Sequence, residues 1–292
     1  MKKRLRSRKK NRAIGFIFAL PALLGVFVFF LVPFCISVGI SFTNGMGDLT
    51  FVGFRNYASL LGNPTFQLAA INTGRFIGVG VVSILLFSLV LSLLIQKKTK
   101  RNDMYKAFFL FPLVLPTASV ILFFQLLFHG NGIVDGLFIR LGLPVADWLR
   151  SPYAFYVLIL LFVWKNFGYN VILFVSAFHS IPPVYYEFAN LEGAGELRKF
   201  RYITLPLITP YLFFITIISI VSSFKVFREA YILCGGHPHK SIYMIQHFMN
   251  NNFYNLNYVR LATSAILVFI VIFLLAFIML KIRNRLSVEG SQ

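Results

Sequence analysis

The amino-acid sequence predicts an all-α integral membrane protein with six transmembrane helices and with both termini in the cytoplasm. Three observations lead to this fold class. Of the 292 residues, 58% are hydrophobic and only 13% are charged, whereas about a quarter of the residues of a soluble domain are charged. The apolar residues fall in long runs, and the cations collect in the segments between those runs. Both patterns are typical of chains that cross a bilayer several times.

Six apolar segments are long enough to span a membrane. A spanning helix needs about 20 apolar residues, because the hydrocarbon core is about 30 Å thick and a helix rises about 1.5 Å per residue. The length of the runs and the lack of alternation favour helices over strands. Pro21 and Pro33 predict kinks in the first segment. The predicted spans are Ala13–Phe42, Ala70–Ile95, Ala107–Phe128, Tyr153–Ala177, Leu205–Phe224 and Leu261–Leu280.

The positions of the cations predict the orientation. With the N-terminus placed inside, 19 of the 28 Lys and Arg residues lie on the cytoplasmic side, as the positive-inside rule requires. We interpret the basic start as a topology anchor, because no small-residue cleavage site precedes its full-length helix. The net charge of +19 therefore predicts contact with membrane lipids and no nucleic acid. The predicted regions are a cytoplasmic N-terminus 1–12, a transmembrane domain 13–285 and a cytoplasmic tail 286–292.

The cytoplasmic loop between the fourth and fifth spans, EFANLEGAGELRKFRYITLPLITP, is unusually charged for this chain. Pro182 and Pro183 open a short helix whose apolar residues fall on one face. Gly193 and Gly195 interrupt it, a second short amphipathic helix follows, and Pro206 is predicted to begin the next span. Periodicity alone leaves two readings open, a surface that docks into a partner or a pair of helices lying on the membrane.

This loop resembles the EAA motif of ABC importer permeases, in which Glu-Ala-Ala is followed by three residues, a Gly, and later Ile-x-Leu-Pro. Phe188 replaces the middle Ala, and Glu192 stands where Asp is usual. The resemblance implies that loop 182–206 forms coupling helices that sit in a groove of a cytoplasmic ATPase. The matching residues are Glu187, Ala189, Gly193, Ala194, Phe200, Ile203, Leu205, Pro206 and Pro210.

The resemblance extends along nearly the whole chain and narrows to carbohydrate-uptake permeases. It includes FVGFRNYASLL (Phe51–Leu61), WKNFGYNVILFVSAFHSIP (Trp164–Pro182) and FKVFREAYILCGGHP (Phe224–Pro238). The first span and the Gly-Gly-Pro loop resemble the larger of the two maltose-transport permeases, without its extra spans and periplasmic insertion. The resemblance implies one permease subunit of a sugar importer in the cell membrane. It would pair with a second homologous permease, two ATPase subunits and an extracytoplasmic binding protein, with ATP hydrolysis on the partners.

Two lysines within or next to the spans indicate a solute path. A central Lys costs about 3 kcal/mol, so we expect Lys165 to face a cavity or a partner. No acidic residue falls at the centre of a predicted span, so we expect no carboxylate opposite Lys165. By resemblance, the sugar site includes Lys165, Asn166, Tyr169, Phe224 and Lys225. We add Asn170, Trp164 and Gln125, because amides bond hydroxyl groups and aromatic rings cover the apolar face of a sugar.

Other function classes fit less well. An ion-coupled secondary transporter usually needs an intramembrane carboxylate or His relay and internally repeated architecture, and neither is predicted. An enzyme needs polar groups converging at one depth, and the histidines of the loop after the fifth span (His237, His239, His247) have no companion carboxylate. We expect no catalytic residue, no metal and no cofactor. Within the importer class, an anionic solute such as glycerol phosphate or an acidic sugar remains an alternative to a neutral sugar.

Overall fold

The computed structural model describes residues 16, 18–95 and 102–289, and only the backbone of residues 102–107 and 284–289. The predicted basic N-terminus 1–12, the cations at positions 97–101 and the last residues of the tail lie outside the described residues. In the described part, all secondary-structure elements are helices apart from one isolated β-bridge, which joins Thr43 to Phe51. The prediction of an all-α protein is confirmed.

Thirteen α-helical elements are used below, in chain order. They are α1 (Phe18–Ser41), α2 (Arg55–Leu61), α3 (Pro64–Ile95), α4 (Asn102–Val114), α5 (Thr117–Phe128), α6 (Ile133–Arg140), α7 (Ala154–His179), α8 (Val184–Leu191), α9 (Glu196–Lys199), α10 (Leu205–Phe224), α11 (Phe227–Cys234), α12 (Ile245–Tyr254) and α13 (Tyr258–Glu289).

Six helical segments of the described chain are long and apolar enough to cross a membrane, which agrees with the predicted number of spans. Their bounds are Phe18–Ser41, Pro64–Ile95, Thr117–Arg140, Ala154–His179, Glu196–Cys234 and Tyr258–Arg283. The third of these differs most from its prediction. The expected single helix Ala107–Phe128 is wrong, because the chain leaves the helix at Leu115 and Pro116 between α4 and α5. Proline lacks an N–H group and disfavours the α conformation in the residue before it.

The fifth segment also differs from its prediction. Pro206 was expected to begin the span after a separate short helix, but α9 continues into α10 through a π-helical turn, Phe200–Thr204. The same arrangement occurs in α1, where the π turn Phe27–Leu31 lies just before Pro33. In both places the carbonyl four residues before the proline falls inside the wider π turn. This turn accommodates the pyrrolidine ring that would otherwise clash in a regular α-helix.

The chain divides into two compact units, Met1–Asn63 with Asn252–Phe269, and Pro64–Asn251 with Ile270–Gln292. In the first unit, the segment between α1 and α2 is fastened to both helices. The Asn56 amide donates to the carbonyls of Ser41 and Thr43 at 3.0 and 2.8 Å, and the Ser41 hydroxyl lies 2.8 Å from the Tyr57 hydroxyl. The Phe42 ring packs against Phe51, Phe54 and Tyr57.

The second unit is built around α7, which has the largest buried fraction of the six spans. Helices α3, α4 and α10 all pack on it, and Phe162 and Leu158 of α7 are buried in its core. The approach of α4 is very close, because a Cβ atom at Gly168 would lie 1.7 Å from the Phe109 carbonyl oxygen. Only glycine permits this contact, so the sequence position of Gly168 determines where α4 crosses α7.

Candidate functional site

Lys165, in the middle of α7, forms an ion pair with a carboxylate. Its Nζ atom lies 2.5 Å from Glu229 Oε1 of α11 and donates a hydrogen bond to Thr117 Oγ1 at the start of α5, at 2.7 Å. The two charged side chains are only 12% and 11% exposed. Because charge is costly away from water, a buried ammonium group requires such partners. Three elements of the second unit therefore converge on one charged centre.

The expectation that no carboxylate opposes Lys165 is wrong. Glu229 was placed outside the membrane because the fifth span was predicted to end at Phe224. In the structure, α11 extends the apolar helical segment to Cys234 and turns Glu229 toward α7. The helical spacing of Val226, Ala230 and Leu233, all of which are buried, was the available signal that this segment continues as a packed helix.

A cavity of about 450 Å³ surrounds the ion pair. Its apolar lining comes from Leu113, Phe162 and Val226. Its polar lining consists of Thr117, Lys165, Asn166, Ser222, Lys225, Arg228 and Glu229. Apolar walls with a few convergent polar groups are the usual composition of a small-molecule site.

A second cavity of about 210 Å³ shares Leu113, Asn166 and Ser222 with the first, so the two adjoin. Tyr169 and Asn170 also line it. Asn166, which lines both cavities, donates a hydrogen bond from its amide to the Phe162 carbonyl at 2.8 Å. The Asn170 amide donates to Ser219 Oγ at 2.8 Å and joins α7 to α10.

The structure brings together five of the six residues that were predicted for the solute path. Lys165, Asn166 and Lys225 line the larger cavity, and Asn166, Tyr169 and Asn170 line the smaller one. Phe224 lines neither cavity. The sequence interpretation missed Thr117, Ser219, Ser222, Arg228 and Glu229, although the spacing of the two serines places both on one face of α10.

Two further residues proposed on chemical grounds lie elsewhere. Trp164 lines neither of these cavities, and its ring lies 6.0 Å from that of Phe124. Gln125 donates to the carbonyl groups of Ile232 and Leu233, both at 3.1 Å. It lines a separate cavity of about 970 Å³ together with His129, His237 and His239. Gln125 therefore satisfies the C-terminal carbonyls of α11.

The loop that carries the EAA-like motif forms two short helices with an apolar surface. The side chains of Val184, Phe188 and Leu191 on α8 are 44%, 65% and 84% exposed. Leu197 on α9 is 81% exposed. The uncovered apolar row of α8 lies on consecutive turns of a helix outside the six membrane-spanning segments and is available to lipid or to a partner protein.

The turn between α8 and α9 depends on one glycine. Gly193 has φ of +70°, whereas Gly195 has an ordinary extended conformation with φ of −68°. After the turn, Lys199 Nζ lies 2.5 Å from Glu196 Oε1 and 2.9 Å from Asn190 Oδ1, which fastens α9 to α8. The Tyr186 hydroxyl lies 2.8 Å from Thr204 Oγ1 and ties α8 to the π turn. The loop is thus held as one body at the base of α10.

Two side chains of α12, His247 and Asn250, each have a buried polar atom without a hydrogen-bond partner among the described residues. His247 is fully buried, and its Nδ1 accepts a hydrogen bond from the Met244 N–H at 3.3 Å. Its Nε2 has no hydrogen-bond partner in the part of the chain that the structure describes. The Phe227 ring packs edge-on against it, with the ring centres 4.9 Å apart. Burial, with a smaller contribution from nearby His237, lowers the pKa of His247 to about 4. The imidazole is therefore neutral at physiological pH.

Comparisons with known proteins agree with these features. Residues 84–287 match the family model of the binding-protein-dependent transport system inner membrane component. The chain is 28% identical to the arabinooligosaccharides transport system permease protein of Bacillus subtilis, over 96% of this chain and 91% of the relative. It is also 28% identical to the trehalose/maltose transport system permease protein of Thermococcus litoralis, over 97% and 98%.

The fold is shared with a solved structure. A chain from the crystal structure of a bacterial ABC transporter involved in the import of the acidic polysaccharide alginate superposes with a TM-score of 0.82. The match covers 97% of this chain and 99% of the other, at 20% sequence identity. At this identity the likeness shows a common fold.

Proposed function

The chain belongs to the family of binding-protein-dependent transport system inner membrane components, and we propose that it is the permease subunit of an ATP-driven ABC importer for a sugar or oligosaccharide. Family membership makes it a multi-pass membrane permease. The solute class rests on the names of the relatives, which transport arabinooligosaccharides and trehalose or maltose. It is also supported by a cleft lined by amide, hydroxyl and ammonium groups, all of which bond sugar hydroxyls.

The observation that carries this proposal is the exposed apolar face of α8 within the EAA-like loop. We assign this face to docking in a groove of the ATPase partner, because helix-in-groove contacts use such exposed apolar rows. Gly193 provides the turn, and Glu187 is exposed at the start of α8. The proposed coupling residues are Glu187, Ala189, Gly193, Ala194, Phe200, Leu205 and Pro206.

The continuous helical path from α9 to α10 supplies a physical link to the solute. A force on α9 is carried through the π turn to Ser219 and Ser222, which line the cavities. Closure of the ATPase subunits on ATP would thereby alter the width of the cleft. ATP chemistry in this scheme belongs to the partner subunits, and the chain itself acts as a permease and not as an enzyme.

The cleft residues have distinct roles in this proposal. Asn166 and Tyr169 contact the solute through the amide oxygen and the aromatic ring. Asn170 is buried and bonded to Ser219, so it positions α10 against α7. Lys165 and Lys225 supply ammonium groups, while Phe224 contributes to the path only through its place at the end of α10.

The same proposal implies an assembly of several chains. The apolar window of α1 has no buried residue within this chain, so lipid or the second homologous permease covers it. Two ATPase subunits would bind the α8 surface and its counterpart on the second permease. An extracytoplasmic binding protein would deliver the solute.

Uptake by the reconstituted assembly tests this function. Proteoliposomes containing both permeases and the ATPases, supplied with the binding protein, are expected to accumulate labelled oligosaccharide only when ATP is present at the ATPase side. An ionophore that collapses proton and sodium gradients should leave uptake unchanged. Uptake driven by an ion gradient without ATP would instead support a secondary transporter, for which the buried Lys165–Glu229 pair is the structural candidate.

A further inference from the structure

The cavity around the ion pair carries more positive than negative charge. Three cations line it, Lys165, Lys225 and Arg228, and Glu229 is the one carboxylate among the described residues that does so. Lys165 and Glu229 lie 2.5 Å apart and neutralise each other. Two positive charges therefore remain on the wall of a cavity of about 450 Å³.

These two cations are not compensated within the described part of the chain. Neither Lys225 nor Arg228 takes part in the Lys165–Glu229 or the Lys199–Glu196 ion pair. Lys225 ends α10, and Arg228 lies in the first turn of α11. Both side chains are exposed at the cavity. Two like charges so close in sequence repel each other, and a wall of low polarity behind them strengthens both this repulsion and the attraction to any anion.

The nature of the two cations also suits an anion. Arginine presents a planar fork of donors that matches the two oxygens of a carboxylate, and lysine adds a compact point charge. The neutral polar groups beside them, Asn166 and Ser222, are suited to hydroxyl groups. An anionic group and several hydroxyls are the combination that an acidic saccharide presents.

We propose that the solute is an acidic saccharide, whose carboxylate or sulfate group binds between Lys225 and Arg228. This inference rests on the proposed function and adds the charge of the solute to it. Lys165 is not the charge-selective group, because Glu229 already satisfies its ammonium. It fixes α7 to α11 and so holds Arg228 at the cavity.

Binding of matched oligosaccharides to the assembled transporter tests the proposal. Tetragalacturonate and galactotetraose have the same length and differ at the C6 carboxylate, and both can be labelled and titrated in detergent without the binding protein. We expect the uronate to bind at least about tenfold more tightly, because charge-assisted hydrogen bonds are about twice as strong as neutral ones. Its affinity should fall with added salt. Equal or weaker binding of the uronate, or no uronate binding at millimolar concentration, overturns the proposal.

Variants assign the effect to the two cations. Lys225→Gln and Arg228→Gln should each weaken uronate binding by about tenfold more than they weaken galactotetraose binding, because the neutral ligand loses a hydrogen bond but no charge pairing. Lys240→Gln and Arg140→Gln are the matched controls, because both remove an exposed cation outside this cavity. Equal effects on the acidic and the neutral ligand would contradict a charge-selective role.

Lipid phosphate is the other source of an anion for these side chains. In nanodiscs of phosphatidylcholine, uronate binding should match that in detergent, and added phosphatidylglycerol should change it little. Loss of uronate binding in phosphatidylglycerol would assign Lys225 and Arg228 to lipid headgroups and overturn the proposal. ATP-dependent uptake of a neutral oligosaccharide without uronate binding would reject only the proposed negative charge of the solute. Absence of any saccharide uptake would reject the proposed function itself.

Discussion

Lys165 Nζ lies 2.5 Å from Glu229 Oε1, although the two residues are 64 positions apart in the sequence. Both side chains are nearly buried, and within the described chain the ammonium group donates its other hydrogen bond to Thr117 Oγ1. A buried pair of this kind makes each partner dependent on the other, because removing one leaves an uncompensated charge.

We expect Lys165→Met and Glu229→Gln each to destabilise the protein strongly. The double variant should lose much less stability than the sum of the two single losses. Breaking a buried pair costs about 3–5 kcal/mol, whereas replacing both partners by neutral groups is often close to neutral. The double variant should therefore recover much of the lost melting temperature and membrane abundance, as measured by thermal unfolding in detergent. Additive losses in the double variant would show that the two side chains are not energetically coupled.

The close contact of α4 with α7 leads to a prediction about packing. Gly168→Ala should lower the melting temperature strongly, because the added Cβ would lie 1.7 Å from the Phe109 carbonyl oxygen and the helices must separate. Overpacking of this kind costs about 1–3 kcal/mol or more. Gly78→Ala in α3 is the control, since no atom lies within 4 Å of a Cβ there. A similar loss in both variants would mean that the α4 contact does not decide the effect, since helix propensity alone predicts a small gain for Gly→Ala.

The turn between α8 and α9 allows a matched test of the proposed coupling loop. Gly193→Val should abolish or strongly reduce ATP-dependent uptake, because its φ of +70° is strained for a β-branched residue. Gly195→Val should be tolerated, since Gly195 has φ of −68° and no atom within 4 Å of a Cβ. Both variants should reach the membrane in normal amounts. Normal uptake by the Gly193 variant would remove this turn from the coupling mechanism.

Orientation in the membrane is tested by labelling single cysteines. In a background with Cys35 and Cys234 replaced by serine, Met46→Cys and Leu141→Cys should react with an impermeant maleimide added outside intact cells. Arg198→Cys should react only after the membrane is opened, since the positive-inside rule places this cationic loop in the cytoplasm. All three positions are exposed within this chain. Labelling of Arg198→Cys from outside would invert the topology and place the α8 surface away from any cytoplasmic ATPase.

The buried His247 predicts a loss of stability at mildly acidic pH. Its pKa of about 4 in the folded protein lies below the ordinary value of 6.5, so the unfolded chain takes up the proton first. Stability is nearly unaffected above about pH 7.5, falls as the pH decreases through about 6.5, and has lost about 1.4 kcal/mol from this group by pH 5.5. His247→Asn keeps an acceptor near the Met244 N–H but does not titrate, so its melting temperature should depend less on pH between 7.5 and 5. Parallel curves for the two proteins would contradict this assignment.

The number of spans could be predicted from the sequence because hydropathy and length are local properties. The EAA-like motif could be recognised for a similar reason, since it lies within one short segment; its role in coupling stays a prediction. The partner of Lys165 could not, because it depends on α11 extending the fifth span and packing on α7. The break at Pro116 had a local signal, the proline itself, but the apolar residues on both sides of it indicated one continuous span. Pro206 gave a misleading signal, because a π turn allows the helix to pass through it.

Helix α9, the π turn and α10 form one uninterrupted helical path. The count of residues in this region therefore matters as much as their identity. Each residue added or removed between Gly195 and Ser222 would rotate everything beyond it by about 100° about the helix axis. Ser219 and Ser222 would then turn away from the cavities that they line. We therefore expect a single-residue insertion or deletion in this stretch to disrupt both cavities even where the change itself lies far from them.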